Sequence, residues 1–163
     1  MPSPGNLALT LVRGTLPSGL DLLREEARAE GFRHLDRLVE EWGAGAVRFD
    51  RPGESLIAAY HDGELVGVGG VTAESLAGRY RMRRFYVRPS FRHRGIGSAL
   101  AREAIGRASP LARELTVRAG NPDARAFWER LGLAAVDDAG HTHVLVLALP
   151  GPDAGFQDTR CQT

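Results

Sequence analysis

Lysine is absent from this chain: all 21 basic residues among its 163 are arginine. No lysine amine is therefore available as a nucleophile or as a target of self-modification, and a Walker-type phosphate loop, which needs that ammonium group, is excluded. Cysteine is almost as scarce. The one thiol, Cys161, lies in the polar last residues and reads as an exposed side chain rather than a nucleophile. Alone it makes no internal disulfide, so a reducing compartment is expected. Long apolar runs are missing too. Nothing approaches the ~18 residues of a membrane span, and the opening MPSPGNLALTLVRG has no charged stretch leading into a sustained apolar core. A cytoplasmic, soluble protein without a membrane partner is expected. Charge imbalance is lacking as well: the formal net charge is +1, which calls for no nucleic acid.

What is present is enough apolar material, 43% of 163 residues, to fill one core without disulfides or metals. No repeat or linker divides the interior, so residues 1–163 read as one domain, with a core over about 6–149 and a flexible tail over 150–163. A loose alternation over residues 6–13 predicts a strand. Two amphipathic helices follow, over 18–31 and 32–43, with Leu20, Leu23 and Ala27, then Phe32, Leu35, Leu38, Val39 and Trp42 on their apolar sides. Residues 43–54 read as a loop. Two β-rich runs flank Asp62-Gly63, a hairpin turn signal. Glycines 67, 69 and 70 predict a bulge, or a place where something approaches the backbone closely. A strand over 79–88 is stopped by Pro89; then come a helix from Gly95, a short strand over 112–120, a helix over 121–132 and a closing strand pair over 133–149. The order is that of an α/β (α+β) fold with a mixed sheet of about seven strands and four helices.

The stretch VRPSFRHRGIGSALA, residues 87–101, places arginines and glycines where a strand turns into a helix. Such a corner offers unpaired amides and the positive end of the helix dipole, and glycine lets a phosphate approach the backbone. Arg92, His93, Arg94, Gly95, Ile96, Gly97 and Ser98 form the candidate cradle. Between Ser75 and Arg102 there is no acidic residue, while arginines stand at 79, 81, 83, 84, 88, 92 and 94. That potential suits a ligand with several phosphates; a glycine-assisted turn with solvated arginines is the alternative. A dinucleotide-binding reading fails, since its glycines belong after the first strand.

Residues 87–97, V-R-P-S-F-R-H-R-G-I-G, resemble the acetyl-CoA-binding signature of the GNAT acetyltransferases, Arg/Gln-x-x-Gly-x-Gly/Ala after a strand. Residues 121–133, N-P-D-A-R-A-F-W-E-R-L-G-L, resemble that family's second signature, and the element order agrees over roughly residues 6–149. The resemblance implies the GNAT fold and transfer of an acetyl group from acetyl-CoA, as cosubstrate and without a metal, to a primary amine. The acceptor, a small molecule or a peptide, attacks directly in a ternary complex. A CoA-binding sensor with the same fold is the alternative, and both a monomer and a homodimer stay open. By resemblance, main-chain groups of Phe85, Tyr86 and Val87 bond the pantetheine arm where their strand splays from the next. Residues 92–98 hold the diphosphate. Asn121 caps a helix or also reaches the cofactor, and Phe127 and Trp128 pack against the arm or within the core.

The chain departs from the family at its chemistry. Many relatives carry a tyrosine general acid where Trp128 stands, and indole is a donor but no proton source. Some carry a glutamate base where Arg81 stands. Substitutes are Tyr86, beside the expected thioester site, and His143, alternating with His141 along the last strand. Two histidines without further ligands make no metal site. Glu25, Glu26 and Glu30 either draw in a cationic amine or form a solvated helix face.

Overall fold

The computed structural model describes residues 5–137 and 140–147. The expected tail, Cys161 and the end of the last predicted strand lie outside the described residues. Along the chain run β1 (Leu7–Leu11), α1 (Leu20–Ala29), α2 (His34–Gly43), β2 (Ser55–His61), β3 (Glu64–Ala73) and β4 (Arg79–Val87). After a 3₁₀ turn at Pro89–Phe91 come α3 (Ile96–Ala108), β5 (Glu114–Val117), α4 (Pro122–Arg130), β6 (Ala134–Ala135) and β7 (His143–Val146). The expected mixed sheet of seven strands with four helices is borne out.

The strands line up as β1-β2-β3-β4-β5-β7-β6. Every neighbouring pair is antiparallel except β4 and β5, whose crossover is α3. Asp62 (φ 49°) and Gly63 (φ 85°) turn the β2–β3 hairpin, the left-handed pair that a two-residue turn of this kind requires. The closing strands are shorter than the pattern predicts. Ala134 and Ala135 are both exposed, so β6 has no buried face to extend it, and His141 precedes β7 instead of lying in it.

Helices cover both faces. On one, α1 and α2 set Leu23, Leu35, Leu38 and Trp42 against Leu56, Ala58, Val68 and Tyr86. On the other, Ile96 and Leu100 of α3 pack on Ile57, Ala59 and Val66, and Ala101, Ala104 and Ala108 meet Met82, Leu115 and Trp128. Each large side chain buried this way stabilises the fold by about 1.5–3 kcal/mol. α1 and α2 are also tied by charge. Asp36 at the start of α2 accepts from Arg28 at 2.6 and 2.8 Å and from Arg24 at 3.1 Å. The Arg28 hydrogen bond, against a smaller effect of burial, lowers the Asp36 carboxyl to about 2.

Candidate active site

The site begins with a break in the register of β4. Val68 pairs with Tyr86 and Gly70 with Arg83, so Gly69 alone faces the two residues Arg84 and Phe85. This is a β-bulge, and Arg84 adopts the left-handed φ of 65° that it imposes. The glycines explain themselves here. A Cβ on Gly69 would lie 2.4 Å from the Phe85 ring, and one on Gly70 would lie 2.6 Å from the Phe49 ring. The bulge also resets the alternation. Tyr80 and Met82 point to the α3 face, and beyond the bulge Phe85 packs there too, while Tyr86 points to the α1 face.

Parallel pairing of β4 with β5 ends at Met82 and Val117, yet β4 runs on to Val87. The two strands therefore part over the last five residues of β4. Arg88 N–H bonds Val66 C=O, so by antiparallel alternation Tyr86 turns its main-chain groups to β3. Phe85 and Val87, not Tyr86, present theirs to the opening. Each of those carbonyls has one side-chain donor: His34 Nε2–H donates to Phe85 O at 2.9 Å and Arg92 Nε–H to Val87 O at 2.9 Å. Burial, ahead of every other effect, pulls the His34 pKa down, which keeps the ring neutral beside the bulge. Nothing in the sequence singles out His34.

At the mouth of this opening the chain enters α3. Gly95 caps the helix in the left-handed region (φ 82°), and its missing Cβ would meet no atom within 4 Å. The first α-helical rung runs from Ala99 N–H to Gly95 C=O at 3.0 Å, so the amides of Ile96, Gly97 and Ser98 precede it. His93 (φ 63°), Arg94 and Gly95 are exposed. An open, glycine-floored helix start of this kind fits a diphosphate. Gly97 is more confined: its Cβ would lie 3.2 Å from the Phe127 ring. Phe127 stacks edge-on against Trp128 at 4.9 Å, and Trp128 does the same to Phe85 at 5.0 Å. These three rings stand beside the opening. Asn121 caps α4, its Oδ1 accepting from Ala124 N–H at 2.8 Å.

The arginine run sorts into two kinds. Five of its members are each paired with an acid: Arg79 with Glu114, Arg81 with Glu74, Arg84 with Glu41, Arg88 with Glu26 and Arg92 with Glu30. The sequence gap between Ser75 and Arg102 thus leaves no unbalanced charge over most of its length, because acids arrive from α1 and the residue that caps it, from α2, from the residue after β3 and from β5. Arg92 in particular turns its guanidinium out of the glycine loop, binding both oxygens of Glu30 at 2.8 and 2.6 Å. Arg94 remains at the loop, 5.1 Å over the Phe91 ring, and Arg83 remains on the other face.

The candidate acid–base groups are engaged. Tyr86 donates its hydroxyl to Glu30 Oε1 at 2.6 Å under the Arg92 guanidinium, and burial followed by that carboxylate pushes its pKa up. Glu30, held by Arg92, sits below the usual carboxylate range. Glu26 and Glu30 are consequently committed to arginines, while Glu25 is solvated. His143 is fully buried, between Thr142 Oγ1 and Glu129 Oε2, each at 2.8 Å. It lies on β7, with β5 between it and the open edge of β4. The structure thus brings residues 85–98, Phe127 and Trp128 together and leaves His143 apart. Among the described residues no cluster of three potential metal ligands occurs, and no helix is long and apolar enough to cross a membrane.

Among curated proteins no sequence matches this chain. Solved structures share its fold. A protein of Exiguobacterium sp. 255-15 thought to be an acetyltransferase superposes with a TM-score of 0.78 at 24% identity, covering 94% of this chain and 98% of its own. A GNAT family acetyltransferase of Brucella melitensis, solved with acetyl-CoA, gives 0.64 at 18% identity over 90% and 92%. NAA60 of Arabidopsis thaliana, solved with a bisubstrate analogue, gives 0.61 at 18% identity over 89% and 100%. The acetyltransferase (GNAT) family model matches residues 16–133, well over half of the chain, and that match decides the matter: this protein belongs to the GNAT family and is an acyltransferase.

Proposed function

We propose that this chain transfers an acetyl group from acetyl-CoA to a primary amine of a small-molecule or peptide acceptor, by direct attack in a ternary complex. The observation that carries the reading is the exposed start of α3 at Gly95, set beside the parting of β4 from β5. In this reading the amides of residues 95–98 and the Arg94 guanidinium hold the diphosphate. The N–H groups of Phe85 and Val87 face the arm and the thioester carbonyl, and Phe127 and Trp128 wall the arm. The acetyl-CoA bound by the Brucella melitensis relative supports this choice of donor.

When bound, acetyl-CoA supplies an acetyl group on a thiol leaving group. A thiol of pKa near ~8.5 departs as thiolate without a strong acid, so the absence of tyrosine at Trp128 is no obstacle. The acceptor needs more help, because an alkylamine near ~10 is mostly protonated at neutral pH. The neutral amine forms the C–N bond as the C–S bond breaks, its surplus proton passing to water and the thiolate taking one from water. Tyr86 and Glu30 then serve to hold α1 against β4 rather than to move protons. The engagement of Tyr86 and the burial of His143 are also what favour the second reading, a CoA-responsive sensor with little turnover.

Thermal denaturation with and without acetyl-CoA, followed by thiol release with a panel of amines, tests the proposal. At a hundredfold excess over Kd the ligand stabilises by about 2.7 kcal/mol, a rise of several degrees. Gly97→Arg, which forces a long side chain onto Phe127, removes the rise. A shift without thiol release across the panel would favour the sensor, and no shift would contradict both readings.

A further inference from the structure

Among the arginines of β4, Arg83 is the one for which the described residues supply no ion pair. Gly70, directly across the sheet from it, looks at Phe49, so Arg83 points to the face covered by α2 and the 45–54 loop. It stands one residue past the last β4–β5 pair and two before Phe85, at the edge of the opening. Its neighbours Arg81 and Arg84 have Glu74 and Glu41. Arg83 has only a long contact from Nη1 to Thr72 Oγ1, 3.4 Å, while its Nε is buried with no partner. Among the described residues it forms no ion pair. A half-buried guanidinium with no ion pair and a buried, unpartnered Nε is a ready receptor for a planar anion.

A cavity of about 220 Å³ opens over this side chain, lined by Thr72 and Ala73 of β3 and by Val47, Arg48 and Glu54 of the loop. Glu54 makes no ion pair with Arg83; its two oxygens accept from the amides of Ala73 at 2.8 Å and Arg51 at 3.2 Å. Asp50 and Arg51 also line the cavity and are exposed. The space is smaller than the ~300–1,000 Å³ of drug-sized pockets, which suits a small molecule rather than a folded segment. We infer that the acceptor is a small amine carrying a carboxylate, and that Arg83 binds this carboxylate bidentately while the amine points along β4 toward Phe85. The inference rests on the acetyl-transfer reading above and narrows its acceptor. Burial, and then the charge of Arg84, lower the Arg83 pKa, against an opposing effect of Glu41 and Glu74.

The test compares amino acids with their methyl esters and decarboxylated amines, with kcat/KM expressed per neutral amine so that differences in amine pKa cancel. The free acids react best with the unaltered protein, and in Arg83→Gln their advantage of about a hundredfold collapses toward one. Acetyl-CoA's own melting shift controls for folding and donor binding. Calorimetric titration of an amino acid into the CoA-saturated protein gives a second readout, independent of turnover, and binding is lost in the variant. Should Arg83→Gln not fold, Arg83→Lys and the acid–ester comparison on the unaltered protein decide. Esters that match acids, an Arg83 variant that keeps the preference, or an aminoalkyl phosphate that outperforms every carboxylate would overturn the inference. Absence of any donor shift would instead overturn the acetyl-transfer reading.

Discussion

Tyr86 and Arg92 meet on one carboxylate, and that meeting decides what each side chain is for. The Tyr86 hydroxyl is directed at Glu30, and Arg92 covers both, joining residues 62 positions apart in the chain. A phenol raised in pKa and already donating to an anion is a poor acid for a departing thiolate. Tyr86→Phe is therefore expected to lower stability by about 1 kcal/mol while kcat stays within about threefold, read by denaturant unfolding and thiol release. A loss of a hundredfold or more in kcat without unfolding would restore Tyr86 as the proton donor. The glycines at 95 and 97 were legible in the sequence because only backbone freedom and close approach explain glycine there. The direction of Arg92 was not, nor was the difference between Arg83 and its neighbours. All seven arginines of the run look alike in one dimension, and only acids brought in by other elements tell them apart.

Between elements, α1 and α2 are tied to each other by charge. Arg24 and Arg28 hold Asp36, whose carboxyl is lowered from 3.8 to about 2. A folded-state pKa below the unfolded one means that the pair adds stability above about pH 4 and loses it as pH falls toward 2. Asp36→Asn should melt below the unaltered protein at pH 7, and the gap should close on acidification over that window. A gap independent of pH would assign Asp36 a packing role instead. Apolar periodicity made these two helices readable, as Asp-Gly did the β2–β3 hairpin. The bulge was signalled by Gly67, Gly69 and Gly70, but what approaches the backbone there proved to be the chain's own Phe85 and Phe49. The short edge strand β6 was overestimated, since two exposed alanines and an aspartate give a strand no face to bury.

For the molecule as a whole, one topological choice makes the site: a single parallel pair in an otherwise antiparallel sheet, abandoned halfway along β4. Helices cover both faces beside that gap, α1 and α2 on one and α3 and α4 on the other. The overall architecture followed from element order, whereas the extent of the parting depends on where β5 stops, and β5 spans Glu114–Val117 within the short strand expected over 112–120. The most direct measurement is a crystal structure with acetyl-CoA. The account predicts diphosphate oxygens about 2.7–3.2 Å from the amides that open α3, with the thioester between β4 and β5 near Phe85. A coenzyme bound elsewhere, or crystals that exclude it at saturating concentration, would contradict it.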